Sequence, residues 1–265
     1  MRRAPTNALK PVLGTYVSPG SARGTLVWYQ PHLGRTRYVR KYLYLAVAAA
    51  SAAVLAMPIV ADAAPGASSH VLTIRKVHGP AVKTGAVLKA SLAKGTTAKF
   101  VIGSGTSAIT VTCKSSSFSA KVVKNPLARG TATESVTAES IAKCTTSVTG
   151  LTIGSIKALN LPYKATVSDK KGLPVTVSGT KTKPIELKAS AKLSGMTITC
   201  IYKAASAVGT ASNKGNTITF TKQKLTVVTN GSSSICGSIG AATFSAKYGP
   251  VQDTSVKGNP AVFVN

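Results

Sequence analysis

Apolar and polar residues alternate along most of this chain. The clearest run is Met196-Thr-Ile-Thr-Cys-Ile-Tyr202, where Met196, Ile198, Cys200 and Tyr202 occupy every second position. A period of two predicts a strand with one buried face. Ile109-Thr-Val-Thr-Cys113, Asn216-Thr-Ile-Thr-Phe-Thr221 and Ala242-Thr-Phe-Ser-Ala-Lys-Tyr248 repeat the pattern, and Phe118, Ala120 and Val122 share one face of a further strand. Between the runs stand turn signals: Asn125-Pro126, Arg129-Gly130, Asp169-Lys-Lys-Gly172, Ser194-Gly195, Asn213-Lys-Gly215 and Asn230-Gly231. Thr131 to Val136 reads as a strand and Thr137 to Ala142 as a single helical turn. No stretch sustains a helical period beyond two turns. The pattern predicts an all-β fold, an antiparallel sandwich or barrel.

One internal echo bears on the architecture. Ile109 to Ala120 lines up with Met196 to Ala207, with Thr, Thr, Cys, Ser and Ala coinciding. Each copy is followed by one more cysteine, Cys144 and Cys236, and the offset between copies is 87 residues at the first cysteines and 92 at the second. Two related lobes would produce this; so would two strands converging on one threonine-rich composition.

The first 63 residues differ from the rest. Residues 1–38 hold five arginines, one lysine and the only tryptophan, whereas from Ala64 onward there are 23 lysines and two arginines. That shift predicts an extended or non-native N-terminal region, with translation beginning at Val39. Arg40 and Lys41 then precede an uncharged, largely apolar run from Tyr42 to Val60, followed by Ala61-Asp62-Ala63. This is the layout of a signal peptide spanning 39–63, cleaved between Ala63 and Ala64. The competing reading is an uncleaved membrane anchor. After cleavage the expected product is a flexible N-terminus over 64–84 and a β-rich domain over 85–265, secreted and extracellular, with the cell wall as a further place of residence and no attachment to membrane.

Export changes the reading of the cysteines. All four lie after the cleavage site, and an even number in an oxidising compartment predicts two disulfides. Three pairings are available. The repeat favours Cys113–Cys144 and Cys200–Cys236, each closing its own segment. A metal site is the sharper alternative, but the cysteines lack a short Cys-x-x-Cys spacing or a nearby histidine, so no metal is expected.

Charge adds a second constraint. With 25 basic and five acidic residues, the mature chain carries about +20. So basic a surface favours polyanions, while lysines scattered over polar strand faces also suppress edge-to-edge association. Arginine is nearly absent and not interleaved with aromatics, so any nucleic-acid binding is expected to be non-specific.

Catalysis finds little support. The two mature histidines, His70 and His78, both lie near the new N-terminus. Gly103-Ser-Gly-Thr-Ser107 reads as a loop, not a nucleophile elbow. Glu134 and Glu139 stand five residues apart in what reads as a polar loop, with no acid/base pairing evident. The aromatics, Tyr163, Tyr202, Tyr248 and five phenylalanines, occupy inward phases of strands and predict core packing rather than sugar platforms.

Gly95-Thr-Thr-Ala-Lys-Phe100, Val111-Thr-Cys113, Gly130-Thr-Ala-Thr-Glu-Ser135, Leu161-Pro-Tyr163, Thr199-Cys200, Gly209-Thr-Ala-Ser-Asn213 and Ser245 to Ser255 stand in an order that resembles the small secreted proteins of actinobacteria. The resemblance covers about Gly85 to Asn265. It implies an exported β-rich domain with two cystine bridges and carries no activity. The lysine content here departs from that family's pattern. The functional expectation is a secreted, non-enzymatic structural or interaction domain without cofactor, whose partner is a protein or the cell surface. The alternative is a weak binder of anionic cell-wall polymers.

Overall fold

The computed structural model describes residues 69–265. The expected start at Val39, the signal peptide and the Ala63–Ala64 cleavage site lie outside the described residues. The described chain is an antiparallel β-barrel with a short two-stranded sheet at one end.

The strands are β1 (Leu72–Ile74), β2 (Val87–Ser91), β3 (Ala98–Ile102), β4 (Ile109–Lys124), β5 (Thr131–Thr146), β6 (Leu151–Leu159), β7 (Tyr163–Ser168) and β8 (Pro174–Ser178). They continue with β9 (Ile185–Leu193), β10 (Met196–Ala204), β11 (Ser206–Ser212), β12 (Thr217–Val228), β13 (Ala242–Tyr248), β14 (Gln252–Asp253) and β15 (Val262–Val264). One helix, α1 (Ser234–Ile239), stands between β12 and β13.

The pairings resolve into eight staves. Four are single strands: β4, β5, β12 and β13. Each of the other four is one chain run interrupted partway, β2–β3, β6–β7, β8–β9 and β10–β11. β5 pairs β7 through its first half and meets β6 at Ile141–Ile156. β7 pairs β8 while β6 pairs β9. β8 then pairs β11, β9 pairs β10, and β12 takes β11 and β10 in turn along one edge. β13 joins β12 to β3, with a bridge from Tyr248 to Leu92 just after β2, and β2 and β3 both pair β4. Each stave is followed by its neighbour in sequence, so the barrel is an up-and-down meander closed by its last stave against its first. Closure removes the free edges that a threonine-rich open sheet would present.

The interruptions have local causes. Asn160-Leu161-Pro162 parts β6 from β7, where Pro162 has no N–H for the ladder. Gly179 to Pro184 parts β8 from β9, and Ala205 alone parts β10 from β11. Tyr163 locks one break: its hydroxyl donates to the Leu159 carbonyl and accepts from the Glu186 N–H at 3.2 Å. β5 and β12 stay continuous but bulge. Against β4, Ala138 pairs Ser119 and Val136 pairs Ala120, which leaves Thr137 unpaired. β12 shifts register between Phe220 and Gln223, with Lys222 at φ 47°. Thr137 to Ala142, expected as a helical turn, is therefore strand: the bulge breaks the period-two pattern and imitates a helical spacing.

The two ends of the barrel differ. At the lower end, β1 pairs β15, and asparagines tie this sheet to the barrel. The Asn125 amide takes the Leu72 N–H at 2.9 Å and donates to the Leu72 carbonyl at 2.8 Å. Asn213 brackets Val264 in the same way, at 2.9 and 2.7 Å. Val71 to Ile74, a stretch within 64–84 whose apolar residues read as a first short strand, are thus fully packed. The cause is the C-terminal strand, which supplies β1 with a partner from nearly two hundred residues away. At the upper end stand the β3–β4, β5–β6 and β9–β10 connections and α1.

Both cysteine pairs close as Cys113–Cys144 and Cys200–Cys236. The first links facing residues of β4 and β5. The second holds α1 against β10, where Ser233 N–H also donates to the Thr199 carbonyl at 2.8 Å. The two cysteine strands, β4 and β10, belong to one barrel, not to separate lobes.

Candidate functional site: the barrel lumen

An eight-stranded barrel has an interior just wide enough to be filled by side chains or to hold one small ligand. Here the filling is incomplete. An upper chamber of about 140 Å³ is lined wholly by apolar surface. Ile102, Ile109, Leu151 and Leu193, at the upper ends of their strands, contribute to it with Val148 and Ile239, and Phe100, Val111, Leu187 and Leu225 line it from deeper in the wall. A lower chamber of about 100 Å³ follows. Leu187 and Leu225 belong to the walls of both, so the chambers are neighbours along the barrel axis. Apolar cavities near 150 Å³ stay dry and take up a benzene-sized guest. Tyr202 lines the upper chamber and its buried hydroxyl has no hydrogen-bond partner among the described residues.

The lower chamber carries aromatic and acidic groups together. Phe118 and Phe220 each meet Tyr248 edge-on, with ring centroids 5.2 and 6.4 Å apart. The Tyr248 hydroxyl pairs with Ser116 Oγ at 2.8 Å. Glu134 and Glu139 line the same space. Glu134 is 7 % exposed, level with Ala165 on β7 and Val122 on β4; Glu139 faces Phe118 across the β4–β5 ladder. Burial lifts both carboxyls from about 4.5 to about 7. Burial is the only cause: no hydrogen bond or opposite charge among the described residues offsets it. Burial also raises the Tyr248 phenol, and the Glu139 charge adds to the shift, while the Ser116 bond opposes it.

Sequence reasoning placed these glutamates in a polar loop. Their spacing of five would put them on opposite faces of a regular strand. The bulge at Thr137 adds a residue, so Glu134, Val136, Glu139 and Ile141 all face inward. The only sequence signal for this is the low acid content: two of the five acids after Ala63 fall on one strand, beside apolar residues.

Lysine behaves oppositely. All 23 described lysines are exposed. They stand on every stave, for example Lys99, Lys121, Lys143, Lys164, Lys188, Lys203, Lys222 and Lys247, so no single face collects them. The aromatics pack inward as expected, with Phe100, Tyr163, Tyr202, Phe220 and Tyr248 all buried.

Among the described residues no group of His, Cys, Asp and Glu is placed to hold a metal ion, and no helix is long and apolar enough to cross a membrane. No family model, curated protein or solved structure matches the chain.

Proposed function

We propose that this protein is an exported, non-enzymatic β-domain that binds a small apolar molecule inside its barrel. The observation that carries the reading is the unfilled lumen: a closed wall of eight staves surrounds two chambers that side chains leave empty. Cores are normally packed to crystal-like density, and each void costs stability. A barrel that keeps two voids in line forgoes that packing, and occupancy by a guest restores it. Export follows from the signal-peptide layout before Ala64 and accords with two cystines in so short a domain.

The lysines fit a supporting role in this reading. Spread over every stave, they keep the barrel soluble and monodisperse, while any attraction to anionic wall polymers stays diffuse.

The test is uptake of a neutral, environment-sensitive apolar dye, followed by fluorescence. Wild type is expected to bind one equivalent. Ala189, on the upper-chamber wall, offers a blocking position. Ala189→Phe is expected to abolish uptake while the far-ultraviolet spectrum and thermal transition remain cooperative. Undiminished uptake by a folded A189F protein would place the dye elsewhere and defeat the proposal.

A further inference from the structure

We infer that the lumen selects its guest by charge, taking an amphiphile with a basic amine head and rejecting one with a carboxylate. This rests on the lumen-binding reading above and specifies its ligand class.

The upper chamber offers only apolar surface, the right solvent for a short hydrocarbon chain or a ring. The lower chamber offers Glu134 and Glu139, with Gln223, Tyr163 and Tyr248 as the other polar side chains on its wall. Among the described residues no lysine, arginine or histidine lines either chamber, although basic residues outnumber acidic ones five to one in the mature chain. Every described lysine is exposed outside, and the two lumenal charges are both acidic.

A buried carboxyl without a partner is costly. Glu134 is more than nine-tenths buried and lines the chamber with no partner among the described residues. An ammonium group supplies what both glutamates lack, a cation with hydrogen-bond donors. A carboxylate guest would instead meet like charge, with no cation to offset it. The tail then lies toward Leu187 and Leu225 and into the upper chamber, which those two residues join to the lower one.

Near neutral pH each carboxyl is partly protonated, as burial dictates. An alkylammonium ion entering as a cation pairs with the carboxylate form, so binding expels the carboxyl proton to solvent. The other titratable groups facing the chamber, Tyr163 and Tyr248, have phenols raised by burial and stay neutral throughout. Affinity for the amine therefore rises with pH up to and through about 7 and then levels off.

The experiment compares three probes of equal chain length, octylamine, octanol and octanoate, by displacement of the neutral dye from the full mature protein. Octylamine is expected to bind at least about tenfold tighter than octanol, and octanoate weaker than either. In Glu134→Gln/Glu139→Gln, octanol should bind as before and the preference for octylamine should collapse toward unity; retained octanol binding reports an intact lumen. Octanoate or octanol binding wild type as tightly as octylamine overturns the charge selection while leaving lumen binding standing. If none of the three displaces the dye, or the dye itself does not bind, lumen binding fails and this inference with it. An octylamine preference that survives the double substitution also overturns it, because the selectivity would then lie outside the two carboxyls.

Discussion

Replacing Glu134 by glutamine should stabilise the protein, and only above acidic pH. The folded state holds this carboxyl at about 7, against about 4.5 for an accessible one. Below about pH 4.5 the group is protonated in both states and contributes no difference. Between the two values the folded protein keeps a proton that the unfolded chain has released, so stability falls as pH rises. Above about 7 both states are ionised and the penalty is constant. At 1.36 kcal/mol per pKa unit, the shift corresponds to about 3 kcal/mol. Glutamine keeps the shape and removes the charge, so E134Q should match wild type, apart from a constant offset, near pH 4 and exceed it by about 3 kcal/mol more near pH 8. The assay is urea unfolding of both proteins, disulfides intact, across that range. Subtracting one curve from the other cancels every group they share. A flat difference between pH 4 and 8 would refute the burial argument, and a difference that narrows with rising pH would show that Glu134 is paired, not stranded.

Three further outcomes follow from the same geometry. Glu139→Gln should give a pH-dependent gain of the same sign, since its carboxyl also stands at about 7 through burial; a loss of stability near pH 8 would contradict this. Removing the Cys200–Cys236 bridge, which spans 36 residues, should cost about 4 kcal/mol in a chain-entropy treatment, and hydrogen exchange should rise first in α1 and the Thr229–Ser233 segment beside it. Gly209→Ala should cost about 1–3 kcal/mol in urea unfolding, because an added Cβ would stand 2.6 Å from the Thr219 carbonyl oxygen and 2.9 Å from the Phe220 ring; a neutral result would mean that β11 and β12 part freely there.

The alternation along Met196–Tyr202, Ile109–Cys113, Asn216–Thr221 and Ala242–Tyr248 was enough to determine strands and the all-β class, and most of their buried faces; Met196, expected on the buried face, is instead 66% exposed at the start of β10, at the β9–β10 turn. Alternation works because neighbouring side chains of a strand face opposite sides, so burial of one face is written locally. The turn residues were legible for the same reason: Asp169 to Gly172 and Ser194-Gly195 need only their own backbone preferences. Closure could not be read in this way. Whether β13 meets β3 or ends an open sandwich depends on accumulated twist and tilt over eight staves, which no short window contains. A short strand at Val71–Ile74 was legible, but its partner, Val262–Val264, lies at the opposite end of the chain, so the pairing that packs it was invisible locally. The lumenal acids were hidden by a single unpaired residue, Thr137. One bulge inverts the phase of everything beyond it, and only the pairing of β5 with β4 decides where that bulge falls. The sequence could thus state how many acids there are, and the tertiary structure alone decided that two of them face an apolar cavity inside a lysine-coated barrel.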